Sequence, residues 1–272
     1  MRPAERAQFG ELGQVHMQIK LIRPDGTEPR SVVQVTDRFH HGSPHWSPDG
    51  KKLVFDAYLA GLQQPMLYMV DVDGQNLKSL GDGAYPNWSP DGKSIVFFSG
   101  LSENPQVSVM SADGAQQRQL FAGGWPAWSP DGKQLVFTRT DADSGVWIAD
   151  ADGANPRQLL PQQAVIFAPV WSPDAKQVAF ASNAGGNFDV YVVKADGSDL
   201  RQLTMDAGMD LFPEWSPDGK LIAFTRYQAG DAELYLISPD GSGERQLTTS
   251  PGFDIDPSWS PDGKWIAYGS QL

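Results

Sequence analysis

One tetrapeptide, Trp-Ser-Pro-Asp, occurs six times in the chain, beginning at Trp46, Trp88, Trp128, Trp171, Trp215 and Trp259. Successive copies lie 42, 40, 43, 44 and 44 residues apart. A proline stands two residues before each tryptophan, at Pro44, Pro86, Pro126, Pro169, Pro213 and Pro257. Gly-Lys follows the aspartate five times, and Ala175 replaces the glycine once, before Lys176. A fixed period of this length marks a supersecondary unit that cannot bury its apolar faces alone and must stack on copies of itself.

Each unit reads as four short strands. After the Pro-Asp-Gly turn comes an apolar run ending in an aromatic, such as Leu53-Val54-Phe55 or Ile266-Ala267-Tyr268. A variable loop leads to a second apolar run, such as Leu67-Tyr68-Met69-Val70. A second turn carries Asp-Gly, as at Asp73-Gly74 or Asp196-Gly197, and a last strand ends near Gln-Leu, as in Arg201-Gln202-Leu203. The runs are nearly continuous in apolar residues, which predicts strands covered on both faces. Four strands every ~40 residues is the signature of a propeller blade.

The last repeat is cut short, since four residues follow Tyr268. The missing half stands at the other end of the chain. Gln18–Ile22, Pro24-Asp25-Gly26 and Val32–Thr36 supply a third strand, a turn and a fourth strand. The expected fold is all-β: a six-bladed β-propeller of four-stranded antiparallel blades, closed by N- and C-terminal half-blades sharing one blade. Residues 1–272 form a single domain in this reading, with 1–14 as an N-terminal extension and 17–36 pairing with 257–272. Mixing both termini in one sheet ties the ring shut and removes exposed edges.

The repeat Pro-x-Trp-Ser-Pro-Asp-Gly-Lys, followed by an apolar-aromatic strand, resembles the TolB-type propeller repeat over residues 17–272. Propellers of prolyl-oligopeptidase-like enzymes and oligogalacturonate lyases share it. The resemblance implies a partner-binding platform, a gate over a catalytic domain or an active-site scaffold, and for TolB itself a periplasmic role beside an N-terminal α/β domain. With the repeats starting at residue 17, that domain is not expected within these 272 residues.

Net charge is −12 with a pI near 4.6, which repels polyanions and excludes nucleic acid as a partner. No apolar run reaches transmembrane length, which excludes membrane insertion. The first residues lack the apolar stretch of a secretory signal, so the compartment stays open between periplasm and cytoplasm. There is no cysteine, which excludes disulfides and thiolate chemistry. Gly-x-Ser-x-Gly, His-Glu-x-x-His and the phosphate-cradling loop are all absent. The expectation is a non-catalytic, monomeric module that captures a protein segment or small ligand at the channel mouth, with a protein or peptide partner and no obligatory cofactor.

Strand direction puts both kinds of tight hairpin on one face. The variable loops and the segments before each Pro-x-Trp occupy the other face, where recognition is expected. The residue before each motif proline reads Ser43, Tyr85, Trp125, Ala168, Phe212, Asp256. The residue after it reads His45, Asn87, Ala127, Val170, Glu214, Ser258. Two sectors emerge at the channel mouth. Tyr85, Trp125, Phe167 and Phe212 form an aromatic sector, suited either to packing or to stacking on a peptide or sugar ring. His41, His45, Asp254 and Asp256 form a polar one, because ring closure makes the first and last blades neighbours. Histidines with carboxylates could hold a divalent metal such as zinc or manganese, the basis of an alternative reading as a metal-dependent lyase or hydrolase. The bland reading is a solvated ion-pair cluster. Arg139 and Arg226 are further ligand candidates from the variable loops, alongside Asp56, Tyr58, Asp141, Asn183, Asn187 and Tyr227.

Overall fold

Every repeat is organised by one turn. Ser47 Oγ donates to Asp49 Oδ1 at 2.7 Å, the Lys51 amide donates to the same oxygen at 3.1 Å, and the Lys52 amide donates to Ser47 Oγ at 2.9 Å. The same three bonds recur at Ser89–Asp91, Ser129–Asp131, Ser172–Asp174, Ser216–Asp218 and Ser260–Asp262. The serine hydroxyl thus relays between the aspartate and the strand that follows. The serine bond, aided by the backbone amide, holds these aspartates below the usual carboxylate range. The turn closes through a left-handed residue, Gly50 at φ 69° in the first copy. Ala175 takes the same conformation at φ 58°, at a cost of roughly 1 kcal/mol.

The computed structural model describes residues 16–35, 40–58, 65–99, 105–139, 143–161 and 164–272, apart from the side chains of His40 and His41. Strands β1 (Met17–Ile22) and β2 (Arg30–Val33) come first. Blade 1 is β3 (His40–Trp46), β4 (Lys52–Tyr58), β5 (Met66–Asp71) and β6 (Lys78–Asp82). Blade 2 is β7 (Ala84–Trp88), β8 (Ser94–Ser99), β9 (Gln106–Ser111) and β10 (Arg118–Ala122). Blade 3 is β11 (Gly124–Trp128), β12 (Gln134–Arg139), β13 (Gly145–Asp150) and β14 (Arg157–Pro161). Blade 4 is β15 (Ile166–Trp171), β16 (Gln177–Ser182), β17 (Asp189–Lys194) and β18 (Arg201–Gln202). Blade 5 is β19 (Met209–Trp215), β20 (Ile222–Gln228), β21 (Asp231–Ile237) and β22 (Arg245–Gln246). Strands β23 (Asp254–Trp259) and β24 (Ile266–Gln271) end the chain.

Five sheets follow chain order and the sixth does not. Its order is β2-β1-β24-β23, with β1 antiparallel to β24 in unbroken register from Met17↔Gln271 to Ile22↔Ile266. The all-β, six-bladed architecture with a shared closing blade is therefore the one its repeats dictate. Among the described residues no helix is long and apolar enough to cross a membrane.

The core lies between blades. The aromatic within each second strand (Phe55, Phe97, Phe137, Phe180, Phe224, Tyr268) is at most 2% exposed. Burying such a ring contributes roughly 1.5–3 kcal/mol before entropy is counted. At the seam, Ile19 and Leu21 of β1 pack with Leu53 and Phe55 of blade 1, so closure is made by burial as well as by hydrogen bonds.

Candidate functional site

The channel is built by a backbone irregularity repeated six times. In each innermost strand the residue before the motif proline has positive φ: Ser43 46°, Tyr85 49°, Trp125 49°, Ala168 47°, Phe212 55° and Asp256 55°. The ladder shifts register at the same place in all six strands. None of the six is β-branched, as a left-handed conformation demands. The bulge re-aims these side chains, and they make a first ring around the axis. His45, Asn87, Ala127, Val170, Glu214 and Ser258 form a second ring, and the six motif tryptophans a third, nearest the hairpin face. The first two rings line a cavity of about 90 Å³ that is mostly apolar, with a proline from every blade in its wall. The second and third line another of about 220 Å³.

The aromatic sector closes on itself. Tyr85 of blade 2 stacks on Phe212 of blade 5, directly across the ring, with centroids 5.8 Å apart. Tyr85 also stacks on Phe98 at 5.5 Å, and Trp125 meets Phe167 edge-on at 4.9 Å. Phe167 is buried, whereas Tyr85, Trp125 and Phe212 remain half-buried with ring surface facing the cavity. The four expected aromatics are thus brought together, as a plug across the axis. Phe98 and Phe188 belong to the same cluster and escaped the sequence reading.

The polar sector differs in composition from the one expected. Asp256 Oδ2 accepts from the Ser43 amide at 3.0 Å and from Ser43 Oγ at 3.2 Å, which latches blade 6 to blade 1. Asp56 Oδ2 accepts from the Tyr85 amide at 3.0 Å, which latches blade 1 to blade 2. Thr225 Oγ1 accepts from the Asp256 amide at 3.0 Å, which latches blade 5 to blade 6. Asp56 and Asp256 are 1% and 6% exposed, and each keeps one buried oxygen, Oδ1, without a partner. Burial pushes Asp56 up to about 7, with a further push from Asp256, and pushes Asp256 up to about 6. Tyr58, Tyr85 and Tyr227 stand around them, and burial holds all three phenols above their ordinary value.

The sequence signal for Asp56 and Thr225 was the position after the second-strand aromatic. It reads Asp56, Phe98, Thr138, Ala181, Thr225, Gly269, a varied column beside otherwise apolar ones.

His45 sits in the second ring. Its Nδ1 accepts from the Trp88 amide at 3.2 Å, as Asn87 Oδ1 accepts from the Trp128 amide at 3.1 Å. An accepting Nδ1 requires an imidazole unprotonated at that atom, and burial accordingly lowers His45 to about 4. Burial pushes Glu214, in the same ring, up to about 8.

Asp254 lines neither cavity and is bonded by Ser250 Oγ at 3.3 Å in a hydroxyl-rich pocket of the closing blade. The His41 side chain lies outside the described residues. Among those residues no three His, Asp or Glu side chains come together as metal ligands.

The two arginine candidates stand apart from the channel. Arg226 is 5% exposed, and its Nε and Nη2 grip Asp210 at 2.7 and 2.9 Å. Nη1 and Nη2 reach Glu244 at 2.8 and 3.1 Å, and Nη1 meets Asp206 at 3.0 Å. Four hydrogen bonds and the Asp206 ion pair engage the guanidinium, so the residue is an internal clamp of blade 5. Arg139 lies over Trp147, its guanidinium carbon 4.8 Å from the ring centroid. Asn183 and Asn187, both between β16 and β17, hold the backbone of adjacent segments, Asn183 accepting from the Val165 amide at 2.8 Å ahead of β15 and Asn187 donating to the Asp206 carbonyl at 3.2 Å ahead of β19.

A plugged axial channel, a uniform hairpin face and a varied loop face define a six-bladed propeller of the closed, termini-sharing kind. The sequence matches the family model of the TolB β-propeller domain over residues 16–147 and 142–272, and the chain belongs to that family. Among solved structures, a protein assigned as TolB in Agrobacterium tumefaciens is 25% identical with a TM-score of 0.81, covering 95% of this chain and 99% of that one. TolB from Acinetobacter baumannii is 21% identical with a TM-score of 0.76, covering 94% of this chain and 70% of that one. Oligogalacturonate lyase from Vibrio parahaemolyticus shares the fold at 14% identity and a TM-score of 0.55, covering 93% and 97%. No curated protein matches the sequence.

Proposed function

We propose that this chain is a non-catalytic binding module that captures a segment of a protein partner at the channel mouth on its loop face. The observation that carries the reading is the half-buried aromatic surface of Tyr85, Trp125 and Phe212 around the cavity mouth. Six left-handed residues hold the first ring on the rigid innermost strands, so little order remains to be imposed when a segment binds. Rigid aromatics around an apolar hollow are the usual anchors of peptide capture.

The test is selection of peptides from a displayed random library against the full chain. Selected peptides are expected to lose affinity roughly tenfold or more on Trp125→Ala or Tyr85→Ala, about 1.4 kcal/mol or more, and nothing on Lys133→Ala of the hairpin face. Recovery of no peptide, or of peptides indifferent to Trp125, would overturn the proposal.

A further inference from the structure

We infer that the mouth is a receptor for a primary ammonium group, a lysine side chain of the captured segment, held by Asp256 and Asp56 against the faces of Tyr85, Trp125 and Phe212. The inference rests on the binding-module reading and adds the chemistry of what is bound.

The first observation is an uncompensated pair of acids. Asp256 lines the cavity and Asp56 accepts from the Tyr85 amide beside it, and among the described residues each has a buried carboxylate oxygen with no hydrogen-bond partner. Orphaned buried acceptors are uncommon in folded proteins and ask for an explanation. Among the described residues the cavity lining contains no lysine and no arginine, and its histidine is the neutral His45. Among the described residues the titratable groups coupled electrostatically to Asp256 are Asp56 and Tyr58 of β4, Tyr85 of β7 and Tyr227 of β20, none of them cationic. Glu214 adds a further acid one ring below.

The second observation is the wall. Three aromatic side chains and six prolines surround the acids, and an ammonium ion is the charged group that aromatic faces attract. A hydrated divalent metal asks for several oxygen or nitrogen ligands at one point. Such a set does not assemble among the described residues. An ammonium needs only one or two acceptors and a π face, which is what stands here.

At pH 7 Asp256 is mostly ionised and pairs with the cation directly; near pH 5, where burial keeps it mostly protonated, arrival of the cation must first ionise it. The balance is R–NH3+ plus mouth–COOH giving R–NH3+ paired with mouth–COO−, with one proton released to the buffer. Affinity therefore falls as the acid protonates. With Asp256 near 6, roughly nine-tenths of it is ionised at pH 7 and roughly one-tenth at pH 5. Binding is expected to weaken roughly tenfold between those values.

The experiment titrates n-butylammonium, and separately the neutral alcohol n-pentanol, into the isotopically labelled full chain and follows amide and indole NMR signals. Butylammonium is expected to shift the Tyr85, Trp125 and Asp256 signals, to bind roughly tenfold more weakly at pH 5, and to lose roughly tenfold in affinity in Asp256→Asn. Asp56→Asn gives a second, independent variant. Equal binding of n-pentanol, or unchanged affinity in both variants, overturns the inference. The library separates the two ideas. Trp125-dependent peptides whose lysines can all be replaced by norleucine without loss sink the ammonium site and leave the binding module standing. Butylammonium binding without any recovered peptide does the reverse.

Discussion

Replacing Asp256 with asparagine should make the protein less sensitive to alkaline pH. Asn Oδ1 can still accept from the Ser43 amide and hydroxyl, so the latch between blades 6 and 1 survives. What disappears is the ionisation. Burial raises the Asp256 carboxyl from an ordinary 3.8 to about 6. Below the unfolded value both states hold the proton and the group's stabilising contribution is fully present. Between the two values the unfolded chain ionises first, and the contribution is lost as pH rises through 6. The full effect is about 3 kcal/mol at 1.36 kcal/mol per pH unit, of which about 1.4 kcal/mol falls between pH 5 and pH 8. Urea unfolding of both proteins at pH 5 and pH 8 measures it. Asp256→Asn minus the parent should rise by about that 1.4 kcal/mol across the interval. Parallel pH slopes for the two proteins would refute the assignment of Asp256 as a buried, proton-retaining acid.

Four further outcomes follow from the same reasoning. Deleting the residues after Asp256 removes β24 and with it the whole β1 register, so circular dichroism should show no cooperative melt; a soluble, cooperatively melting truncation would contradict the closure. Arg226→Met should destabilise by about 3–5 kcal/mol in urea, because Asp210 is fully buried and loses both its charge-assisted bonds, and Arg226→Lys should not restore the bidentate grip. Acid unfolding should set in below pH 4, where the six turn aspartates protonate; their stabilising contribution is present above 3.8 and lost as pH falls further, which circular dichroism against pH would follow. Elemental analysis of the purified chain, with His41→Ala/His45→Ala beside it, should find no stoichiometric zinc or manganese; a metal that vanishes in the double variant would favour the metal-dependent alternative.

The fold was legible because its signals are local and repeated. Six identical turns, each closed by a serine–aspartate–amide relay, leave little freedom in where the strands begin, and the split repeat at the termini announces how the ring shuts. The first ring was legible for the same reason, since it occupies one column beside the motif proline. The use each member makes of its position was not. Alternation along a strand assigns faces, but the left-handed bulge at that column breaks the alternation and turns Tyr85 and Phe212 toward each other across the axis. His45 and Asp254 carry metal-ligating chemistry in sequence, yet one accepts from the amide of the next blade's tryptophan and the other faces hydroxyls of its own. Arg226 reads as a free cation near a variable loop until Asp206 and Asp210 from one chain segment and Glu244 from another are brought around it. Asp56, by contrast, became a principal member of the polar sector because the Tyr85 amide donates to it from the neighbouring blade. Contacts of that kind depend on which blades touch, and the period alone carries little of that information.

Hydrogen–deuterium exchange on the full chain, with and without a selected peptide, tests the central claim most directly. The account predicts added protection in the segments carrying Ser43, Tyr85, Trp125, Ala168, Phe212 and Asp256, and none at the Ser-Pro-Asp-Gly turns of the opposite face. Protection centred on those turns, or on the outer strands, would contradict the channel mouth as the binding site.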